Sequence, residues 1–190
     1  GASSSGSRLI LAQVMPSGPD LNCPLTKESY LTVIREAKKR VWLGTPYFIP
    51  DQELLMALYA AKRRGVDVKL IVPERTDKRL VYYASFYYFR RLLLAGIPVY
   101  LYHKGFYHAK LAVIDEGLVN IGSANLDQRS FKYSFEAGLF IYDESVAQAM
   151  IRLYEQDLNA CRLLTLDQLR QHPLWMKTAT RLACLLSPWL

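Results

Sequence analysis

The sequence predicts an α/β fold, in which a mixed, mostly parallel β-sheet is layered between helices and a C-terminal amphipathic helical tail follows. Segments of strand length and helix length alternate over most of the chain, as in βαβ units with parallel strands. Two extended segments joined by a short turn, within residues 107–121, add an antiparallel hairpin. With 190 residues, of which 51% are hydrophobic, the chain is long enough to bury one substantial core.

The predicted domain covers residues 8–160 and starts with a strand over residues 9–15. Thr26 is expected to cap an amphipathic helix that closes at the basic residues 38–40, which suit the negative end of the helix dipole. Residues 1–7, GASSSGS, look like a tag or linker and stand outside the fold. The elements expected between this helix and the hairpin are a strand over 41–45, a helix capped by Asp51 and stopped by Gly65, a strand over 66–72, a helix over 77–95 and a strand over 97–102.

The charge of the chain favours an anionic partner. There are 24 Lys and Arg residues against 17 Asp and Glu residues, a formal net charge of +7, which suits nucleic acid or an acidic membrane surface. Cys23, Cys161 and Cys184 are far apart and form neither a metal-ligand spacing nor a disulfide framework. We therefore expect no metal ion and no other cofactor. The longest apolar runs are too short and too interrupted to span a bilayer.

Residues 161–190 form the predicted helical tail. Thr165-Leu166-Asp167-Gln168 is a capping box, and Pro173 opens a last helix. A basic, amphipathic, Trp-bearing helix is typical of a membrane interface, but docking on the domain's own core is an equal alternative. The apolar residues expected to share the outer or docking face are Leu174, Leu182 and Leu185, with Thr178 among them and Trp175, Leu186 and Trp189 extending it.

Aromatic residues occupy all sides of the predicted helix 77–95 and do not form one stripe. Most of them should be core, yet some must face a cleft or an interface. The residues concerned are Tyr82, Tyr83, Phe86, Tyr87, Tyr88 and Phe89.

Polar side chains with phosphate chemistry cluster around the hairpin. His108 and Lys110 belong to an expected strand over residues 107–114, so they should share one face of it. Two such side chains on an apolar strand are unfavourable unless a ligand uses them. Ser123 and Asn125 follow the second strand and offer hydrogen-bond donors to an anion, while Glu136 begins another strand. This pattern indicates a phosphate-handling site with a histidine nucleophile or acid.

The spacing His108-x-Lys110-x4-Asp115-x6-Gly122-Ser123-x-Asn125 resembles the HKD signature of the phospholipase D superfamily. The longer string GSANLDQRS…FEAGLFIYD resembles the second of two HKD motifs in bacterial cardiolipin synthases. The resemblance runs from about residue 10 to the C-terminus. It implies a phospholipase D-like half-domain that corresponds to the C-terminal half of such a synthase.

The resemblance also implies roles for the residues of the cluster. His108, Lys110 and Asp115 are the signature residues, and Glu136 is the carboxylate expected on the far nitrogen of the histidine. Lys110, Ser123 and Asn125 would hold the oxygens of the substrate phosphate. Asp115 has an alternative role, which is to pin the hairpin turn.

One histidine is not enough for an in-line displacement, because the attacking atom and the leaving oxygen lie on opposite sides of phosphorus. His103 and His172 lack a lysine two residues on, so a second HKD motif is expected from a missing N-terminal half or from another copy of the chain.

The implied reaction transfers a phosphatidyl group between two phosphatidylglycerol molecules through a phosphohistidine and releases glycerol, at the inner (cytoplasmic) membrane. Nucleic acid is an unlikely partner under this interpretation. The alternatives are a homodimeric phospholipase D-type phosphodiesterase or nuclease, and a lipid-binding half-domain that is inactive on its own.

Overall fold

The computed structural model describes residues 8–20 and 23–185. The predicted tag, residues 1–7, and the tail residues Leu186 and Trp189 lie outside the described residues. The described part contains one large sheet, a small two-stranded sheet and a set of flanking helices.

Strands and helices alternate as predicted through the first half of the chain. The strands are β1 (Leu11–Ser17), β2 (Arg40–Gly44), β3 (Phe48–Ile49), β4 (Asp67–Pro73), β5 (Val99–Tyr102), β6 (Leu111–Ile114), β7 (Leu118–Gly122), β8 (Leu126–Asp127), β9 (Glu136–Tyr142) and β10 (Cys161–Leu163). The helices are α1 (Leu25–Glu36), α2 (Gln52–Arg63), α3 (Arg79–Leu94), α4 (Gln128–Lys132), α5 (Glu144–Leu158), α6 (Leu166–Arg170) and α7 (Leu174–Leu185).

The large sheet has the strand order β1-β9-β7-β6-β2-β4-β5-β10 and is mixed, as predicted. The expectation that it is mostly parallel is wrong, because among the described strands of this sheet only the β2–β4 and β4–β5 pairs run parallel. Helical crossovers make those two pairs, since α2 and α3 return the chain to the same end of the sheet. The hairpin strands and both edge strands join antiparallel instead.

Helices cover both faces of the sheet, which confirms the layered α/β architecture. On one face α1, α2 and α3 pack against alternate strand residues such as Leu43, Leu70 and Val99. On the other face α5 packs against the opposite set, and Tyr154 of α5 stacks on Trp42 with ring centroids 5.1 Å apart. Each buried strand is therefore apolar on both sides, which explains its nearly unbroken hydrophobic sequence.

Several helices begin directly after a residue whose side chain caps them. Asp51 caps α2 by accepting a hydrogen bond from the Leu54 amide, and Gly65 follows α2 with a φ of 88°, both as predicted. Thr26 is not the cap of α1, because the helix already starts at Leu25. Its hydroxyl instead donates to the carbonyl of Met15 over 3.1 Å and ties α1 to β1.

The hairpin is shorter than predicted, because β6 begins at Leu111 and not at residue 107. The two strands that pair with β6 end close to this position. Leu111 pairs with Gly44 at the end of β2 and with Ile121 next to the end of β7. Residues 107–110 therefore extend beyond the end of the sheet, where the neighbouring strands offer them few pairing partners. Gly122 ends β7 where only glycine fits, since a Cβ atom there would lie 2.5 Å from the carbonyl oxygen of Ala137.

The predicted boundary after residue 160 does not separate sheet from tail. Cys161–Leu163 is the edge strand β10, which pairs antiparallel with β5, so the helical part of the tail begins only at α6. The predicted capping box at Thr165 and Gln168 is present. No helix within the described ranges is both long enough and apolar enough to cross a bilayer.

Helix α7 docks on α3, and of the predicted apolar face Trp175 takes part in the contact whereas Leu174 and Leu182 do not. Its contacts with the core run through Ala183, which is buried, and Met176, and Trp175 meets Tyr83 edge-to-face at 6.0 Å. Leu174 and Leu182 point outward with 80% and 59% of their surface exposed. The tail thus docks on the domain while leaving an apolar stripe uncovered.

Candidate active site

Three strand ends meet at one end of the large sheet and bring most of the predicted site residues together. The Gly122 amide donates to the carbonyl of Lys110 over 3.1 Å, and the Ser123 amide donates to the carbonyl of Ala137 over 3.0 Å. Lys110 therefore lies beside the end of β7, and Glu136 lies at the adjoining start of β9. These contacts join segments that are separate in the sequence.

His108 and Lys110 share one side of the chain, as predicted, although they precede the strand. Ala109, between them, packs with the cluster under α5, and His108 is exposed on the opposite side. The Lys110 Nζ atom lies 3.1 Å from both the Nδ1 and the Nε2 atoms of His108 and donates to the carbonyl of His108 over 3.1 Å. An ammonium and an imidazole in contact are placed to meet the same phosphate group.

Two opposing effects act on the charge of Lys110. Partial burial lowers the pKa of its ammonium from the ordinary value of 10.5, and the carboxylates of Glu136 and Asp127 raise it. Burial is the larger effect, so the ammonium loses its proton more readily than a lysine in water. The two nearby carboxylates therefore counteract part of the effect of burial on this ammonium.

Ser123 keeps a hydrogen-bond donor available for an anion, whereas the amide group of Asn125 is engaged with neighbouring side chains. The Ser123 hydroxyl oxygen accepts from the Ala137 amide over 3.0 Å, which leaves its hydrogen able to donate elsewhere. The Asn125 Nδ2 atom donates to the Ser130 hydroxyl over 3.3 Å, and the side chain of Asn125 also hydrogen-bonds to Asp127, so it must exchange one of these partners to contact a phosphate. The buried Oδ1 atom of Asn125 has no hydrogen-bond partner among the described residues.

Asp127 is a residue of this site that sequence reasoning missed. It is only 5% exposed, accepts from the Ser130 amide over 2.6 Å and caps α4. Burial raises the pKa of its carboxyl group, and its charge reaches Lys110. An aspartate just before a short helical segment is a helix-capping signal that could have located it, although this signal does not show that the cap lies near Lys110.

Asp115 does not lie beside His108 and Lys110. It follows the far end of β6, roughly 16 Å along the chain from Lys110 at about 3.3 Å per residue. Its carboxylate accepts hydrogen bonds from three consecutive backbone amides, those of residues 38, 39 and 40, at 3.1, 2.7 and 3.0 Å. This geometry is that of the alternative role, a side chain that pins the hairpin turn to the loop after α1.

Glu136 does not hydrogen-bond to His108 among the described residues; its charge acts on Lys110 instead. The predicted contact with the far nitrogen of the histidine remains a prediction. No group of three or more His, Cys, Asp or Glu side chains within residues 8–20 and 23–185 is placed to hold a metal ion.

The other two histidines lie elsewhere. His103 follows β5, which is three strands from β6 and therefore about 14 Å away at about 4.8 Å per strand. The ring of His172 packs edge-to-face on Phe86 of α3, with centroids 4.9 Å apart. Neither one is positioned as a second catalytic histidine beside His108.

Residues 30–158 match the protein family described as the PLD-like domain of cardiolipin synthase. The chain belongs to this family. The match contains the whole HKD spacing from His108 to Asn125, so the resemblance inferred from that spacing is confirmed.

Curated relatives agree with this assignment. The chain is 39% identical over 178 residues to a cardiolipin synthase of Geobacillus kaustophilus and 40% identical over 178 residues to the major cardiolipin synthase ClsA of Bacillus subtilis. These matches use 94% of the chain and 36% and 37% of the relatives. The chain thus spans about a third of their length, and the matched part is C-terminal.

Solved structures confirm the fold. A phospholipase D family member, Nuc from Salmonella typhimurium, superposes with a TM-score of 0.70 at 25% identity, covering 82% of this chain and 99% of that one. A phosphatidylserine synthase of Haemophilus influenzae superposes with a TM-score of 0.70 at 20% identity, covering 95% of this chain and 48% of that one. The chain therefore spans about half the length of that protein.

Proposed function

We propose that the chain is one catalytic half of a cardiolipin synthase-like phosphatidyltransferase. The observation that carries this proposal is the contact between Lys110 and the exposed His108 imidazole, 3.1 Å apart at the strand ends that also carry Ser123 and Glu136. An imidazole that is exposed and backed by an ammonium is suited to attack a phosphodiester. The family match and the names of the relatives support phosphatidylglycerol as the substrate.

In the proposed reaction a ring nitrogen of His108 attacks phosphorus, and the bond from phosphorus to the glycerol oxygen breaks. The leaving glycerol oxygen takes a proton from an acid on the opposite side, which the second HKD motif supplies. The hydroxyl of a second phosphatidylglycerol then attacks the phosphohistidine, gives its proton back to that group and releases the histidine. Lys110, Ser123 and Asn125 stabilise the phosphate oxygens in both steps.

The surface beside the site supports a second HKD half as the partner. Val14, Leu139 and Ile121 pair across β1, β9 and β7, so their side chains form one apolar row on one face of the sheet. All three are exposed, and Ile121 directly precedes Gly122 at the site. An exposed apolar row at the edge of a catalytic group is typical of an interface.

The exposed stripe of α7 supports association with the inner membrane. Leu174 and Leu182 are both more than half exposed on a helix that is anchored to the domain through Ala183 and Met176. The chain is also basic overall. Apolar insertion and attraction to anionic lipid add together for such a surface.

The test of this function uses phosphatidylglycerol vesicles and mass spectrometry of the lipid and water-soluble products. A two-motif protein containing this half should form cardiolipin and glycerol in equal amounts. The isolated chain, shown to be monomeric by light scattering, should give negligible product, because one histidine cannot serve both sides of phosphorus. Rapid turnover by the monomer would contradict the two-motif mechanism, and a two-motif protein that forms no cardiolipin would contradict the substrate assignment.

A second candidate function is a homodimeric phosphodiesterase or nuclease. It is favoured by the similarity to Nuc, whose chain is 99% covered by this one and is therefore a single unit of this fold. The net charge of +7 also suits a nucleic acid. A dimer of this chain that hydrolyses DNA but leaves phosphatidylglycerol intact would select this function over the transferase.

Glu136→Gln in the two-motif protein should move the alkaline limb of the pH–rate profile to lower pH. Burial lowers the pKa of Lys110 and the Glu136 carboxylate raises it, so removing that carboxylate lowers the pKa further. A phosphate contact that needs the ammonium is lost as the pH rises through this pKa, and the variant should therefore lose activity earlier. The rate at neutral pH should fall by about 10²-fold if Glu136 also orients the histidine.

Glu155→Gln is the matched control, since Glu155 is an exposed glutamate of α5, outside the site. Its profile should coincide with that of the unmodified protein. If Glu136→Gln also leaves both the rate and the alkaline limb unchanged, Glu136 has no part in the site. A fall in rate without a shift of the limb would support contact with the histidine alone.

A further inference from the structure

A groove of about 440 Å³ lies between the C-terminal half of α3 and the helices α6 and α7. Its floor is made of buried apolar side chains, including Phe86 and Leu169. Its rim carries the exposed residues Leu94, Arg90 and Arg181. The volume lies within the range of about 300–1,000 Å³ that is usual for small-molecule sites.

The groove is separate from the HKD site. Helix α3 leads from β4 to the parallel strand β5, so it runs antiparallel to both, and its last turns lie near the start of β5. The HKD group lies at the opposite end of the sheet, where Leu111 pairs with Gly44 at the end of β2. None of the described residues that line the groove belongs to the HKD cluster.

The charges of the groove favour an anion. Arg90 and Arg181 form no ion pair within the described residues, whereas Arg170, which also lines the groove, pairs with Asp167 at 2.9 Å. The described lining residues include no Asp or Glu. Guanidinium groups bind phosphate oxygens with two parallel hydrogen bonds, which makes two unpaired arginines at one rim a suitable phosphate contact.

The apolar floor of the groove indicates a ligand that has a hydrocarbon part as well as a negative charge. Phe86 and Leu169 lie beneath the arginines, and Leu94 stands on the rim with 58% of its surface exposed. An amphiphilic anion satisfies both parts, with its phosphate on the rim and its hydrocarbon on the floor. The outward stripe of α7, which holds Leu174 and Leu182, belongs to the same helix as Arg181.

We propose that this groove binds one anionic glycerophospholipid, with its phosphate on Arg90 and Arg181 and part of an acyl chain against Phe86 and Leu94. The site takes no part in the transfer reaction. Resting on the membrane association proposed above, the groove would hold a lipid molecule at the surface that α7 presents to the bilayer, and a lipid bound there would contact both α7 and α3.

The test measures binding of dihexanoyl phosphatidylglycerol below its micellar concentration by calorimetry, in a His108→Ala background that prevents turnover. The double variant Arg90→Gln/Arg181→Gln should weaken the groove-bound component roughly ten- to thirty-fold, as expected for two arginines near an anionic lipid. The matched control is Arg35→Gln/Arg152→Gln, two exposed arginines on α1 and α5, which should leave binding unchanged. Leu94→Glu, a substitution at an exposed position, should also weaken binding by placing a carboxylate on the rim.

A photoactivatable derivative of the same lipid gives the location. Its label should appear on peptides that contain residues 86–94 and 166–181, and lipid transfer activity does not enter this readout. Label confined to peptides from residues 104–136 would overturn the proposal, as would equal binding of dihexanoyl phosphatidylcholine or full competition by inorganic phosphate. Binding that appears only after residues 186–190 are removed would also overturn it, since the groove would then belong to the chain's own terminus.

Discussion

Replacing His108 with alanine in a two-motif protein should abolish phosphatidyl transfer, with kcat falling by at least ~10⁴-fold, as for other enzymes that lose a covalent nucleophile or its acid–base partner. The side chain is exposed and touches Lys110, so its imidazole is open to a phosphate group that the ammonium also contacts. Single-turnover assays with labelled phosphatidylglycerol measure the effect. They also show whether the labelled phosphohistidine disappears.

The matched control is His103→Ala, which removes an exposed histidine three strands away in the sheet. Its rate should equal that of the unmodified protein, and both variants should keep the thermal stability, because neither ring is buried. Lys110→Ala should come close to the loss caused by His108→Ala, since it removes the charge beside the phosphate. A His108→Ala protein that keeps a tenth or more of the rate would show that the nucleophile lies elsewhere.

Replacing Asp115 with alanine should lower the free energy of unfolding by about 2–3 kcal/mol. The carboxylate accepts from the three amides of residues 38–40, and the residue has a φ of 51°, which aspartate and asparagine tolerate better than alanine. Urea unfolding followed by circular dichroism measures the change, and the midpoint should fall with little change in slope. This effect follows from the position of Asp115 at the turn and not from any role in catalysis.

Two variants sharpen this test. Asp115→Asn keeps one acceptor oxygen and the tolerance of positive φ, so it should be milder than alanine. Glu116→Ala changes the neighbouring exposed carboxylate, which pairs with Lys39 at the surface, and should leave stability close to that of the unmodified protein. If Asp115→Ala is fully stable but loses phosphatidyl transfer, the residue belongs to the catalytic group as the HKD resemblance implies, and the turn is not its main role.

The amino-acid sequence determined the features that depend on neighbouring residues. Asp51 and Thr165 cap their helices because a cap needs only a side chain and an amide two or three residues on. His108 and Lys110 share one side because extended residues alternate, and this holds even outside the strand. The spacing of the HKD residues identified the family, and the layered α/β architecture followed from alternating element lengths.

Tertiary structure decided the features that depend on distant partners. Whether a strand is parallel or antiparallel depends on the strand it pairs with. The hairpin strands and the edge strands pair antiparallel, so the sheet has fewer parallel pairs than the alternation of strands and helices suggested. Asp127 reaches Lys110, and Asp115 reaches residues 38–40, through pairings that no spacing reveals. Helix α7 has two faces that could pack, and in the folded chain Ala183 is buried against the core while Leu174 stays outside. Sequence periodicity shows that a helix has an apolar face, but only the surface it meets decides which face is buried.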